Sequence, residues 1–288
     1  MLKKRIAATL VVKEGIVVQS IDFCHYRPVG KPEIAMKFFD DWGIDEIILL
    51  DISSTKQGRA PDYSMVRNGA SRCHVPLTVG GGITRIEHIS ELMRCGADKV
   101  ALNQAALRQP SLLEKAATIF GNQCVVGSID ALRVGDQYCV YDYFKAQVLQ
   151  ISVGEFARQL QEQGAGEILI NSVERDGTQS GFDIGLINNV CDAVNLPVIC
   201  CGGAGNPDHF IDVLENTEAS AIAASNFFHF TEHSVTTTKA ILDRRMPIRH
   251  ETNMSYENNN FDKVGRLLKK DEAELEDLIY QKIEKEII

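Results

Sequence analysis

Short apolar, β-branched runs recur along the chain, and between most of them lie longer stretches whose apolar positions return every three or four residues. Residues 6–12, 46–50, 77–79, 99–102, 124–129, 167–170, 198–201 and 221–224 are predicted strands. Residues 32–42, 87–95, 111–120, 153–163 and 184–194 are predicted amphipathic helices. Strands joined by helical crossovers pair in parallel, and eight of them suffice to close a ring. The expected class is therefore α/β, a (β/α)8 TIM barrel; an open doubly wound sheet is the alternative.

An internal repeat favours the closed form. Leu77-Thr-Val-Gly-Gly-Gly-Ile83 is echoed by Val198-Ile-Cys-Cys-Gly-Gly-Ala-Gly205, and Asp45-Glu-Ile-Ile-Leu-Leu50 by Gly166-Glu-Ile-Leu-Ile-Asn171, each 121 positions later. The run 99–103 is echoed by 220–224 at the same offset. Such a repeat reads as two half-barrels fused into one, which removes the sheet edges that either half would expose.

Length and charge narrow the classes. The 288 residues suit one barrel of roughly 250 residues. A net charge of −9 argues against nonspecific binding to nucleic acid or an anionic membrane. No apolar run has the length of a membrane span, and the cytoplasm is the expected location. The eight cysteines form no CxxC motif, and most lie within apolar runs, so neither a metal site nor a cofactor is expected.

In such barrels the loops after the strands carry the chemistry. Gly81 and Gly82 follow the third predicted strand, and Gly202 and Gly203 follow the seventh. Glycines there let backbone N–H groups approach an anion, and Asn103 and Ser225 end the next strands. Two such cradles suit a phosphorylated ligand with a phosphate at each end. Asp51 and Asp130 end the second and fifth strands, where a carboxylate acts as acid or base, positions a hydroxyl, or merely caps a helix. Asp176-Gly177 reads as a turn closing over the ligand.

The motifs Thr78-Val-Gly-Gly-Gly-Ile83, Gly96-Ala-Asp-Lys-Val100, Glu174-Arg-Asp-Gly-Thr178, Cys201-Gly-Gly-Ala-Gly205 and Phe228-His-Phe230 resemble the cyclase subunit of imidazole glycerol phosphate synthase, HisF. The resemblance runs from about residue 1 to 249. It implies a barrel that receives ammonia through its core from a HisH-like glutaminase docked on the bottom. It places the ring at the ammonia entrance on Arg5, Glu46, Lys99 and Glu167, with Asp45, Asp98 and Gln123 on the docking surface beside it.

At the top the chain departs from that pattern. The family's chemistry uses two aspartates; Asp130 stands at one position and Val11 at the other. Gln19 replaces a lysine, Asn171 a hydroxyl residue, and Gln104 a small polar residue. An isopropyl group carries no proton to exchange, so a two-carboxylate scheme is broken. The combination resembles a divergent branch in surface-polysaccharide (lipopolysaccharide) biosynthesis, in which the barrel and its glutaminase work with a sugar amidotransferase to convert acetamido to acetamidino. That is the leading functional reading. The alternatives are a genuine cyclase of histidine biosynthesis and a catalytically silent scaffold that activates the glutaminase.

The resemblance ends at residue 249. Residues 250–260 read as a polar linker, and Leu275, Leu278, Ile279, Ile283 and Ile287 line one face of a predicted C-terminal helix.

Overall fold

The computed structural model describes residues 3–231, 233–245, 248–249, 262, 266 and 268. The linker and the C-terminal helix predicted above lie almost entirely outside these residues.

In the first half the elements are β1 (Arg5–Lys13), β2 (Ile16–Ile21), β3 (His25–Gly30), α1 (Pro32–Asp41), β4 (Glu46–Asp51), α2 (Ile52–Lys56), α3 (Tyr63–Ala70), β5 (Leu77–Gly80), α4 (Ile86–Arg94), β6 (Lys99–Leu102), α5 (Gln104–Arg108) and α6 (Pro110–Phe120). The second half contributes β7 (Val125–Val134), β8 (Gln137–Asp142), β9 (Gln147–Ser152), α7 (Val153–Glu162), β10 (Glu167–Ser172), α8 (Ile184–Cys191), β11 (Val198–Cys201), α9 (Pro207–Asn216), β12 (Ala221–Ala224) and α10 (Ser234–Asp243).

Parallel pairing runs β1-β4-β5-β6-β7-β10-β11-β12 and returns from β12 to β1, so the predicted (β/α)8 barrel closes. The repeat is equally plain. β4 and β10, β5 and β11, and α1 and α7 each start 121 residues apart. No described helix is long and apolar enough to cross a membrane.

Period explains the layers. Strand residues alternate between the barrel interior and the helical layer. Ile6, Ala8 and Leu10 of β1 join the outer cluster, together with helix residues such as Leu92, Leu113 and Phe210. Ala7 instead joins an inner cluster with Ile48, Val126, Leu169, Ile199, Ala101, Ala221 and Ala223. Half of that inner set is alanine, so the axis is thinly filled for a packed core.

Two antiparallel hairpins rise from the barrel, β2–β3 from β1 and β8–β9 from β7. Neither was predicted. All residues of β3 and of β9 are at least partly exposed, so they lack the buried face that makes a strand conspicuous. They stand at equivalent places in the two halves, and they roof the strand C-terminal ends.

Candidate functional site

At the strand N-terminal ends, Arg5, Glu46, Lys99 and Glu167 project inward from four strands and join into one ring. Arg5 is paired with both Glu46 and Glu167. Lys99 reaches the same two carboxylates at 3.0 and 2.7 Å. Thr78 Oγ1 donates to Glu46 from the layer above at 2.9 Å. Burial works against the Arg5 charge, but the two carboxylates outweigh it and raise its pKa. Each charge faces two of opposite sign, which is what allows four of them to sit at the end of a packed core.

Around this ring, Asp98 and Gln123 are exposed, as a docking surface requires. Asp45 is a correction. It is 3% exposed, accepts from the Ile6 amide at 2.7 Å and pairs with the fully buried Lys239 of α10 at 2.5 Å. It faces the helical layer, so it clamps a helix to the barrel and offers nothing to a partner.

At the opposite end a cavity of about 860 Å³ opens over the strand C-termini. Its lining includes Val11, Asp51, Gly81, Gly82, Asn103, Asp130 and Asp176, together with Lys13, Lys56, Arg108 and the rings of Phe23, Tyr26, Tyr141 and Tyr143. Gly202, Gly203 and Ser225 lie outside that lining. The first predicted cradle faces the cavity, and the second is covered by the loop after β10: Gly181 N donates to Gly203 O at 2.9 Å.

The glycines are required for a reason other than the one expected. Gly81, Gly82, Gly202 and Gly203 all have φ between +70° and +107°. A Cβ at Gly82 would lie 2.7 Å from Arg59 O, and one at Gly203 2.1 Å from Gly181 O. Side chains are barred by neighbouring backbone as much as by any anion.

Three further residues are engaged within the protein. Asp51 caps α2, accepting from Ser53 N, Ser54 N and Ser54 Oγ, so the capping reading holds for it. Asn103 donates to Asp130 at 3.0 Å and accepts from Gln104, which leaves little of it for a phosphate. Asp176 accepts from Ser20 Oγ and Phe23 N while Gly177 packs on Ser20 and Ile21, so this pair latches the first hairpin.

Asp130, in the same lining, is a carboxylate whose surroundings favour its protonated form. Burial, against the opposing pull of Asn103 and Asn171 and with help from Asp176 and Asp142, raises its pKa to about 7. Val11 and Asn171 share the same lining, as do the carboxylates of Asp51 and Asp176. Sequence reasoning missed the Asp142 network. Asp142 is 4% exposed, accepts from Gln104 at 3.0 Å and pairs with Arg108 at 3.6 Å.

Comparison with known proteins agrees with this architecture. Residues 5–234 match a family described as "Histidine biosynthesis protein". A Vibrio vulnificus protein, provisionally named imidazole glycerol phosphate synthase subunit hisF2, is 41% identical over 267 residues, covering 92% of this chain and 98% of its own length. The HisF subunit of imidazole glycerol phosphate synthase from Hyphomonas neptunium is 41% identical over 250 residues, 86% of this chain and 99% of its own. That of Bacillus cereus is 40% identical over 251 residues, again 86% of this chain and 100% of its own. A match to 92% of the chain necessarily reaches past residue 249, so the Vibrio relative shares part of the tail.

Proposed function

This chain belongs to the histidine biosynthesis protein family, and from that premise we propose that it is the ammonia-receiving barrel of a two-subunit amidotransferase of the imidazole glycerol phosphate synthase type. A HisH-like glutaminase docks at the ring of Arg5, Glu46, Lys99 and Glu167. Ammonia crosses the alanine-rich axis, and a phosphorylated acceptor sits in the cavity above.

The observation that carries this reading is the ring itself. Four charges pair within the mouth of the barrel, at the end away from Asp130. A fold needing only stability would fill that mouth with apolar side chains, since replacing buried ion pairs by packed hydrophobics is often neutral or stabilising. Charges kept there instead serve a passage and a partner.

The names of the relatives put the cyclase of histidine biosynthesis ahead of sugar amidination, reversing the order of the sequence reading. In this reading Asp130, half ionised near pH 7, exchanges the protons of ring closure. Val11 and Gln19 are the observations that keep a second reading, ammonia delivery to another acceptor such as an acetamido sugar with a sugar amidotransferase.

Co-expression with a HisH-like glutaminase tests docking. The pair should co-purify, and Asp98→Lys should weaken it, because reversing a rim charge turns attraction into repulsion. Lys99→Met should leave glutamine hydrolysis running but uncoupled from amination. A wild-type chain that ignores the glutaminase at micromolar concentration overturns the proposal. Rescue of a cyclase-deficient histidine auxotroph then separates the readings: growth supports the cyclase, and no growth supports the other acceptor.

A further inference from the structure

The cavity floor around Asp130 presents acceptors where a phosphate site needs donors. Gln104 lines the cavity and is 7% exposed. Its Nε2 donates to Asn103 Oδ1 at 3.3 Å and to Asp142 Oδ1 at 3.0 Å. Those two acceptors set the orientation of the amide, because turning it over would place its oxygen against the Asp142 carboxylate. Gln104 Oε1 is then buried and has no partner among the described residues.

Asn171, also in the lining, shows the same pattern from the other side. It stands beside Asp130, its register partner on β7, and favours that carboxylate's charged form, as its amide nitrogen would; its Oδ1 is buried without a partner among the described residues. Buried polar groups are normally satisfied, so two orphan amide oxygens flanking one carboxylate point to a missing donor. A phosphate carries acceptors and fits poorly. A small group rich in N–H bonds fits.

Building on the function proposed above, we propose that Gln104, Asn171 and Asp130 form the seat on which ammonia is held after it leaves the barrel axis. Three oxygens take up its N–H bonds and leave the lone pair directed into the cavity, where the electrophilic carbon of the acceptor stands. On attack the nitrogen lone pair forms the new N–C bond, and the π pair of the electrophile moves to its own heteroatom. The surplus proton on nitrogen passes to the Asp130 carboxylate. The titratable groups coupled to that carboxylate are Asp142 of β8, Asp176 of the loop after β10, Tyr143 beyond β8 and Cys201 of β11, and the cations Arg108 of α5 and Lys56 of α2 line the same cavity.

The seat can be tested without glutaminase or acceptor. The ionisation of Asp130 would be followed by carbon NMR of the full chain labelled at aspartate carboxyls, in ammonium chloride and in tetramethylammonium chloride at equal ionic strength. Ammonium, with four N–H donors, should move the Asp130 titration to lower pH by about half a unit or more, roughly a threefold change in the ratio of its two forms. Tetramethylammonium has none and should not. Gln104→Thr and Asn171→Thr should each reduce the ammonium effect at least twofold while the thermal melt stays cooperative.

If Gln104→Thr fails to fold, Asn171→Ser carries the test. Equal effects of the two salts, or full retention of the ammonium effect in both variants, overturn the proposal. So does a shift produced by acetamide and not by ammonium, which would assign the oxygens to an amide of the acceptor. Glutaminase docking is measured separately, so failure of the seat and failure of the proposed function are distinguishable.

Discussion

Glu46 is the position at which the ring is most sensitive to a change of charge. It is fully buried and accepts from Arg5, Lys99 and Thr78 at once. Glu46→Gln keeps the volume and one acceptor for Thr78, but it leaves two cations sharing Glu167 and turns an NH2 group toward one of them. Removing one partner of a buried pair typically destabilises by about 3–5 kcal/mol. Arg5 and Lys99 are 21% and 19% exposed, so water relieves part of the loss, and we expect about 2–4 kcal/mol. In a protein of this size each kcal/mol lowers Tm by roughly 2–4 °C, giving a fall of about 5–15 °C in calorimetry at neutral pH. Adding Lys99→Met restores the balance of charge, and the double variant should regain at least about 1 kcal/mol over additivity. A Glu46→Gln variant melting within about 2 °C of wild type, on the same scale, would refute the reading of the ring as a coupled network.

Three further outcomes are expected. Because the folded Asp130 pKa of about 7 lies above its ordinary 3.8, the native state keeps a proton that the unfolded chain releases, so this group favours folding at low pH and that advantage disappears as pH rises through 7. The stability difference between wild type and Asp130→Asn, from urea melts, should fall by on the order of 4 kcal/mol between pH 4 and 8, and a flat difference contradicts it. Lys239→Met strands the Asp45 carboxylate and should destabilise by about 3–5 kcal/mol at pH 7 but less at pH 4, where the carboxyl takes a proton; equal losses at both would show that the pairing is unimportant. Gly203→Ala should cost several times more than Gly15→Ala, since both have positive φ but only Gly203 has backbone in the way, and equal Tm shifts would exclude the steric account.

Most of the barrel was legible because buried parallel strands carry continuous apolar runs and the repeat supplies each signal twice. The hairpins were not. His25–Gly30 contains Arg27 and Pro28 and buries no side chain fully, so its pattern is that of a loop. The site failed in a more instructive way. Asp45 was placed on the docking surface by the resemblance, yet neighbours in a strand face opposite sides, and its partner Lys239 is 194 residues away. Asn103 was read as a free donor, and only its contacts with Gln104 and Asp130 reveal that both ends are occupied. Residue types were visible in the chain; which of their atoms remained unpaired was not.

The two hairpins also trade places in their allegiance. The one rising from the first half is held by Asp176 and Asn226 of the second, through Ser20 and Phe23. The one rising from the second leans on Gln104 and Arg108 of the first, through Asp142 and Phe144. Phe23 and Tyr141 meet edge-on between them, 6.5 Å apart. Each half therefore carries the cover of the other and is unfinished by itself, as two hands are in a handshake. Any opening of the mouth would have to break ties that belong to both halves. A fragment cut near residue 121 would lose its own roof along with its neighbour.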